Sequence, residues 1–201
     1  MKWTLSNQLT VGRVLLIPLF MVAFYLPGFL GYVSAALIFA IASVTDWLDG
    51  YLARSRGEVT AFGRFLDPVA DKLLVAAALV LLVESERVPA LLAVIIIGRE
   101  IAISALREWL AEHAKIVKVS MLGKLKTATQ MSSIVALLIH MELYGLDMHA
   151  IGLLLLWIAA ALTLWSGYEY MRKAWPELRT RSDSTPSAKD DDEQSRQSPH
   201  H

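Results

Sequence analysis

Six long apolar runs, separated by short polar or turn-forming segments, dominate the hydrophobic pattern of this chain. The runs lie near residues 9–27, 31–53, 65–84, 88–109, 125–144 and 149–170. Each has roughly 20 residues, the length at which an α-helix spans the hydrocarbon core of a bilayer. Turn formers such as Pro27, Gly28 and Pro89 stand between them. The pattern predicts an all-α integral membrane protein with six transmembrane helices.

Positive charge is distributed unevenly between the two ends of these helices. The chain is 55% hydrophobic and has 19 Lys and Arg residues, 19 Asp and Glu residues and no cysteine. Only Arg87 falls in a loop on the side opposite the termini. Because cytoplasmic loops carry an excess of Lys and Arg, we expect both termini to be cytoplasmic. The lack of cysteine excludes disulfides and thiol chemistry.

The composition changes after the last apolar run. From Pro176 onwards Ser, Asp, Arg, Gln and Pro predominate, and residues 190–193 form an acidic run. A segment of this composition cannot bury enough apolar surface to fold. We therefore predict one membrane domain over residues 1–175 and a disordered cytoplasmic tail over residues 176–201.

Four aspartates lie at the adjoining ends of the second and third runs. Asp46 and Asp49 close the second run, and Asp67 and Asp71 open the third. Spacings of three and four residues keep each pair on one helix face, so a short turn between the helices would bring all four carboxylates together. Their mutual repulsion requires a cation, and hard oxygen ligands suit Mg²⁺, Mn²⁺ or Ca²⁺. We predict a polar, metal-containing cleft that opens to the cytoplasm.

Small residues and one arginine lie among these aspartates. Gly50, Ala53 and Gly63 allow a ligand or a neighbouring backbone to approach closely. Arg54 can bind phosphate oxygens in a bidentate manner. Carboxylate-held metals and a guanidinium together favour a pyrophosphate ligand.

The whole string reads D-x2-D-G-x2-A-R-x8-G-x3-D-x3-D over residues 46–71. It resembles the signature of the CDP-alcohol phosphotransferase family at each of the eight fixed positions. The resemblance implies an integral membrane enzyme that moves a phosphatidyl or similar group from a CDP-linked donor to an alcohol and releases CMP.

The resemblance also implies roles for individual residues. The four aspartates would hold two divalent ions, Mg²⁺ or Mn²⁺, and Asp71 would in addition be the catalytic general base. The residues that would bind the CDP group are Gly50, Ala53, Arg54 and Gly63, with Asn7, Thr10 and Arg13 of the first helix as further candidates.

Further segments, which begin at Asn7, Gly98, Ser104 and Gly123, look like the bacterial branch that makes phosphatidylglycerophosphate. This similarity runs from about residue 5 to about residue 172. It implies CDP-diacylglycerol and glycerol 3-phosphate as substrates. It also implies a multi-pass homodimer in the bacterial inner membrane, with its active site facing the cytoplasm and no nucleic-acid partner.

Four cations outside the signature interrupt or begin apolar runs. They are Arg99, Arg107, Lys124 and Lys126. A charge at membrane depth usually marks a site or a pathway, and in this branch the phosphate of the acceptor has to be neutralised. Alternatively, Arg99 pairs with Glu100 or an aspartate, and the lysines bind lipid headgroups.

Two other functions remain open at this point. Within the family, the acceptor could be inositol phosphate, serine or phosphatidylglycerol. From a different class, a cation-coupled membrane transporter would also place carboxylates inside a helical bundle.

Overall fold

The computed structural model of the protein describes residues 5–56, 61–112, 121–143 and 145–182, which form a helical bundle. Its helices are α1 (Leu5–Phe24), α2 (Gly28–Arg56), α3 (Ala61–Glu84), α4 (Ala90–Glu112), α5 (Met121–Ile139) and α6 (Met148–Ser182). Strands β1 (Glu142–Leu143) and β2 (Leu146–Asp147) form an antiparallel hairpin between α5 and α6. Each apolar run contains one helix, so the predominantly helical fold is confirmed, but the fifth run, predicted over 125–144, leaves the helix after Ile139 and continues into strand β1.

Local sequence signals explain where the helices begin and end. The chain turns after α1 at Pro27, and α2 starts at Gly28, whose φ of 71° is in the region that favours glycine. Asp147 precedes α6 and acts as its N-cap. Its Oδ1 accepts hydrogen bonds from the backbone N–H groups of His149 (2.9 Å) and Ala150 (3.2 Å).

The buried core runs through all six helices. On one side α1 packs against α2 and α3, with the rings of Phe20 and Phe39 separated by 5.9 Å between centroids. On the other side α5 packs closely against α6, where Ser133 Oγ donates a hydrogen bond of 2.7 Å to the carbonyl of Gly152. The helices that carry the signature, α2 and α3, therefore share a continuous core with the remaining helices.

The outer surface of the bundle is also apolar. Large side chains such as Leu15, Leu30 and Val94 are more than 60% exposed. Exposed apolar surface on this scale is typical of contact with lipid rather than water. By length and composition, the stretches Gly28–Thr45 and Met148–Arg172 could cross a membrane, and Thr10–Phe24 and Leu125–Ile139 are shorter apolar stretches. These features indicate a membrane protein.

Three connections meet at one end of the bundle. Tyr25, after α1, donates a 2.6 Å hydrogen bond to Glu84 Oε2 at the end of α3. His149, after the hairpin, lies with its Nε2 3.0 Å from the backbone oxygen of Arg87. The connections α1–α2, α3–α4 and α5–α6 thus lie together, as the alternating direction of successive helices requires.

Arg87 joins several helices at this end. Its Nη1 donates to the carbonyls of Leu137 and Leu138, both at 3.4 Å, and its guanidinium lies 4.7 Å from the ring centroid of Tyr32. These carbonyls belong to the last turn of α5 and have no partner within that helix. Burial lowers the pKa of Arg87 from its ordinary value, and Tyr32 opposes the shift. Arg87, in the loop between α3 and α4, therefore caps the C-terminal end of α5.

One boundary differs from the prediction. The backbone of α6 is helical as far as Ser182, so residues 176–182, which were predicted to belong to the disordered tail, extend the last helix. Adding residues to an existing helix is much easier than nucleating a new one. Arg179 and Arg181 also lie in its final turn, where cations favour the helix dipole. The rest of the predicted tail, 183–201, lies outside the described residues.

Candidate functional site

The signature occupies the adjoining parts of α2 and α3. The two helices contact each other and are joined by residues 57–60. Asp46 lies ten residues before Arg56, the last residue of α2, and Asp71 lies ten residues after Ala61, the first of α3. At 1.5 Å per residue, both are about 15 Å along their helices from the connection. The two aspartate pairs therefore occupy matching levels of the bundle.

The four aspartates of the signature offer carboxylate oxygens, which are the ligands that Mg²⁺ and Mn²⁺ prefer, so these residue types fit a divalent cation. Of the four aspartates, only Asp71 lies in the part of the chain whose side chains are described. Within that part, no three His, Asp or Glu side chains form a group that could hold a metal ion. For the other signature residues the structure gives the helical backbone alone: Asp46, Asp49, Gly50, Ala53, Arg54, Gly63 and Asp67. The metal site and the CDP contacts therefore stay predictions.

Asp71 lies at a cavity of about 310 Å³ between α3, α4 and α5. Most of the wall is apolar, and polar groups come from each helix. They are Asp71 and Lys72 on α3, Glu100 on α4, and Thr127 and Gln130 on α5. An apolar pocket with a few convergent polar groups is the usual form of a small-molecule site. The predicted general base thus lines a partly open, mostly apolar cavity.

Glu100 forms ion pairs with two cations at this cavity. Its Oε1 lies 3.2 Å from Arg99 Nη1 and contacts Lys126 Nζ. Lys126 is only 5% exposed, and a buried ammonium is very unfavourable without a nearby carboxylate. No defined role for Glu100 was predicted from the sequence. Its only signal was a second charge inside the fourth apolar run.

Arg99 is fixed to α6 as well as to Glu100. Its Nε donates to the carbonyl of Thr163 at 3.1 Å, and its Nη2 donates to Ser166 Oγ at 2.7 Å. Gly167 leaves room for this side chain, since a Cβ there would lie 3.3 Å from Arg99 Cγ. Arg99 therefore contacts Glu100, one of the partners that the sequence allowed for it, and its role at the acceptor phosphate stays a prediction. The three α6 residues were missed because small residues in an apolar run carry no functional signal.

Arg107 lies near the same group. It is exposed on α4 with its guanidinium 5.7 Å from the ring centroid of Tyr170, and its charge repels both Arg99 and Lys126. Arg99 and Arg107 on α4 and Lys126 on α5 are hereafter called the cation group. Lys124 lies in the first turn of α5, and its side chain is not among those described.

On α1, Thr10 and Arg13 are almost completely buried, with 0% and 1% exposure. Their spacing of three residues places them on one face of the helix. Both interact with other groups of the protein. Asn7 lies one turn earlier, where only the backbone is described. Because α1 packs against α2 and α3, its polar residues lie on a helix next to those that carry the aspartates.

Known proteins are similar to this chain over most of its length. Residues 3–165 match the family model described as CDP-alcohol phosphatidyltransferase. The chain is also similar to proteins named CDP-diacylglycerol–glycerol-3-phosphate 3-phosphatidyltransferase. It is 49% identical to the Pseudomonas fluorescens protein over 184 residues, which cover 88% of this chain and 92% of that protein. It is 50% identical to the Haemophilus influenzae protein over 181 residues (87% and 95%), and 42% identical to the Bacillus subtilis protein over 190 residues (89% and 98%).

The family match includes both halves of the aspartate signature, the cavity and the cation group. The similarity to each of these relatives extends over nearly the full length of both chains. The chain therefore belongs to the CDP-alcohol phosphatidyltransferase family.

Proposed function

We propose that the protein transfers the phosphatidyl group of CDP-diacylglycerol to sn-glycerol 3-phosphate, forming phosphatidylglycerophosphate and CMP. Family membership supports the reaction type, and the names of relatives at 42–50% identity support the two substrates. One structural observation carries the proposal for this chain. A carboxylate able to act as a base lines a cavity whose wall also includes Glu100, the residue that joins two members of the cation group.

The donor binds between α1, α2 and α3 in this proposal. Asp46, Asp49, Asp67 and Asp71 hold two divalent ions, Mg²⁺ or Mn²⁺. When bound, these ions supply Lewis-acid stabilisation of charge on the phosphate oxygens. The residues that bind the CDP group are Gly50, Ala53, Arg54 and Gly63, together with Asn7, Thr10 and Arg13. The burial of Thr10 and Arg13 supports a role at membrane depth, where charged and polar residues are otherwise unfavourable.

The acceptor binds through its phosphate to Arg99, Arg107, Lys124 and Lys126. Guanidinium and ammonium groups bind phosphate through charge-assisted hydrogen bonds. Glu100 compensates the charge of Lys126 when no acceptor is present, because Lys126 has little access to water. Binding at a fixed position also brings the acceptor hydroxyl to the reacting phosphorus, which lowers the entropic part of the barrier.

Asp71 accepts the proton of the C1 hydroxyl of glycerol 3-phosphate. The resulting oxygen nucleophile attacks the phosphorus that carries diacylglycerol and forms a new phosphodiester bond. The bond from this phosphorus to the bridging pyrophosphate oxygen breaks, and CMP departs with the electron pair. The direct displacement requires no covalent enzyme intermediate.

The same proposal includes the arrangement in the membrane. All six helices span the bacterial inner membrane, both termini are cytoplasmic and the cleft opens to the cytoplasm. Residues 1–175 are the catalytic membrane domain, and the protein is a homodimer. The apolar outer surface supports membrane-spanning helices, and the common end of the α1–α2, α3–α4 and α5–α6 connections supports termini that lie on one side.

The first experiment measures lipid product and CMP with purified protein, CDP-diacylglycerol and Mg²⁺. Parallel reactions contain glycerol 3-phosphate, inositol phosphate, serine or phosphatidylglycerol. We expect product only with glycerol 3-phosphate. Product with another acceptor would keep the family and change the substrate, whereas no CMP with any acceptor would contradict the proposal and favour a transporter.

The metal requirement is tested separately. A chelator should abolish transfer, and added Mg²⁺ or Mn²⁺ should restore it. Direct measurement of Mn²⁺ binding by electron paramagnetic resonance should give about two ions per chain, and fewer in Asp46→Asn. Full activity after removal of all divalent ions would refute the metal site.

A further inference from the structure

Gln130 is a buried polar residue to which the proposed reaction gives no role. It is 4% exposed and lines the cavity that Asp71 and Glu100 also line. Its Oε1 has no hydrogen-bond partner in the part of the chain that the structure describes. A buried amide oxygen without a partner is unfavourable, and native proteins retain few such groups. An unsatisfied acceptor on a residue that lines a cavity therefore points to a ligand that donates a hydrogen bond.

The position of Gln130 on α5 restricts the identity of that ligand. Gln130 follows Lys126 by four residues, so the two lie on the same helix face with a rise of about 6 Å between them. Lys126 belongs to the cation group, whose positive charges can bind a phosphate. Gln130 therefore presents its amide about one helical turn from the proposed phosphate site. This separation is comparable to the length of a three-carbon phosphorylated alcohol.

The remaining walls of the cavity support a hydroxyl as the donor. Asp71 lies on α3 and is the proposed base for the reacting C1 hydroxyl. In glycerol 3-phosphate, the C2 hydroxyl lies between the reacting carbon and the carbon that carries the phosphate. A group on α5 that faces this space can therefore bind the C2 hydroxyl without interfering with proton transfer at C1.

We infer that Gln130 binds the C2 hydroxyl of the acceptor through its side-chain Oε1 and thereby determines acceptor specificity. The inference rests on the proposed function and deepens it, since it concerns how the same site selects its substrate. A site built to hydrogen-bond a substrate hydroxyl rejects an analogue that lacks it, because the buried group is then left unpaired. The selected class is a phosphorylated alcohol with a second hydroxyl beside the reacting one.

The test compares two acceptors in transfer from CDP-diacylglycerol by the purified full-length protein. One is sn-glycerol 3-phosphate, and the other is 1,3-propanediol monophosphate, which lacks only the C2 hydroxyl. We expect the wild type to prefer glycerol 3-phosphate in kcat/KM by at least about tenfold. Gln130→Met, which keeps the length of the side chain but removes the amide, should reduce the preference to within about twofold.

Thr129→Val is the matched control. Thr129 is the preceding residue on α5, it does not line the cavity, and its hydroxyl donates to the carbonyl of Leu125 at 2.9 Å. This variant should keep the acceptor preference of the wild type. For each protein, kcat/KM for glycerol 3-phosphate is divided by kcat/KM for the analogue. When this ratio is compared between a variant and the wild type, any intrinsic difference in the reactivity of the two acceptors cancels.

Equal losses on both acceptors in Gln130→Met, or no preference in the wild type, would overturn the inference while leaving the proposed reaction intact. Absence of transfer to any acceptor by the wild type would overturn both. If Gln130→Met does not fold, Gln130→Asn serves instead. It withdraws the amide by one methylene and must also weaken the preference, and an unchanged preference there would refute the role of Gln130.

Discussion

Glu100 shows how one carboxylate can hold two cations from different helices. It contacts Lys126 on α5 and Arg99 on α4, and Arg99 in turn donates to Thr163 and Ser166 on α6. Lys126 depends on this contact because it is almost completely buried. Loss of the carboxylate would leave an uncompensated ammonium in a region of low polarity.

Glu100→Gln should therefore reduce both stability and acceptor binding. We expect a decrease of about 1.5–3 kcal/mol in the free energy of unfolding, the usual contribution of a hydrogen bond to a charged group. The KM for glycerol 3-phosphate should rise because Lys126 is no longer held in place. Thermal unfolding of the purified protein and acceptor titration measure the two effects.

The double variant Glu100→Gln/Lys126→Met provides the control for this prediction. It removes both charges, so it should recover much of the stability lost in Glu100→Gln. It should not recover the affinity for the acceptor, because Lys126 is then absent. Additive losses of stability in the double variant would show that the two residues do not interact.

Asp71→Asn tests the proposed base. The amide has almost the same shape as the carboxylate and cannot accept the proton, so kcat should fall about 10²- to 10⁴-fold. Transfer assays at saturating substrate measure the change, and thermal unfolding checks that the fold is retained. Turnover near that of the wild type would contradict the general-base assignment.

The residue types of the site could be predicted from the sequence, whereas the contacts of several residues could not. The aspartates have a spacing that is recognisable along the chain. The pair of Glu100 and Lys126 joins residues 26 positions apart, and Arg99 reaches residues more than 60 positions away. Local periodicity cannot show such pairs, because they depend on how three helices rotate and pack.

At the scale of the element, the close packing of α5 and α6 depends on a glycine. A Cβ at Gly152 would lie 2.7 Å from Leu137 Cγ and 3.0 Å from the backbone nitrogen of Leu137. The first distance is shorter than real Cβ contacts and the second is tighter than most of them, so the side chain of Leu137 or the helices themselves would have to move. The small residue thus allows the close approach of backbones that is common in membrane bundles.

Gly152→Ala should consequently destabilise the protein by about 1–3 kcal/mol, the usual cost of an overpacked core. Gly98→Ala is the matched control, because Gly98 is also helical and no atom beyond its own stretch of helix lies within 4 Å of the position that a methyl group would take there. At this position alanine should be neutral or stabilising by up to about 1 kcal/mol. Thermal unfolding of both variants measures the difference, and equal stability would contradict the packing argument.

The helices themselves were largely predictable at this scale. All six apolar runs contain helices because their length and composition are local properties. The end of α6 was misplaced because composition alone does not show how far an existing helix continues. The capping of α5 by Arg87 could not be predicted from the sequence either, since that contact joins residues 50 positions apart.

At the scale of the whole molecule, the proposed orientation can be tested with single cysteines because the chain contains none of its own. Glu142→Cys places a thiol on the exposed hairpin between α5 and α6. A membrane-impermeant maleimide should label it in intact spheroplasts, since five spans between a cytoplasmic N-terminus and this hairpin place the hairpin outside the cytoplasm.

Ser187→Cys provides the opposite control, because it lies near the C-terminus. It should be labelled only after the membrane is permeabilised. Labelling of Ser187→Cys in intact spheroplasts, or protection of Glu142→Cys, would reverse or refute the proposed topology. Both variants should retain transfer activity, which confirms that the labelled protein is correctly folded.

The sequence by itself determined the helical architecture, the apolar character of the molecule and the family, because each depends on residue type and on spacing along the chain. Only the tertiary structure decided which polar groups meet. It placed Asp71, Glu100 and Gln130 around one cavity and joined Arg99 to α6. The physical reason is that charges in an apolar interior must find partners, and the available partner is determined by packing between distant helices rather than by neighbouring positions.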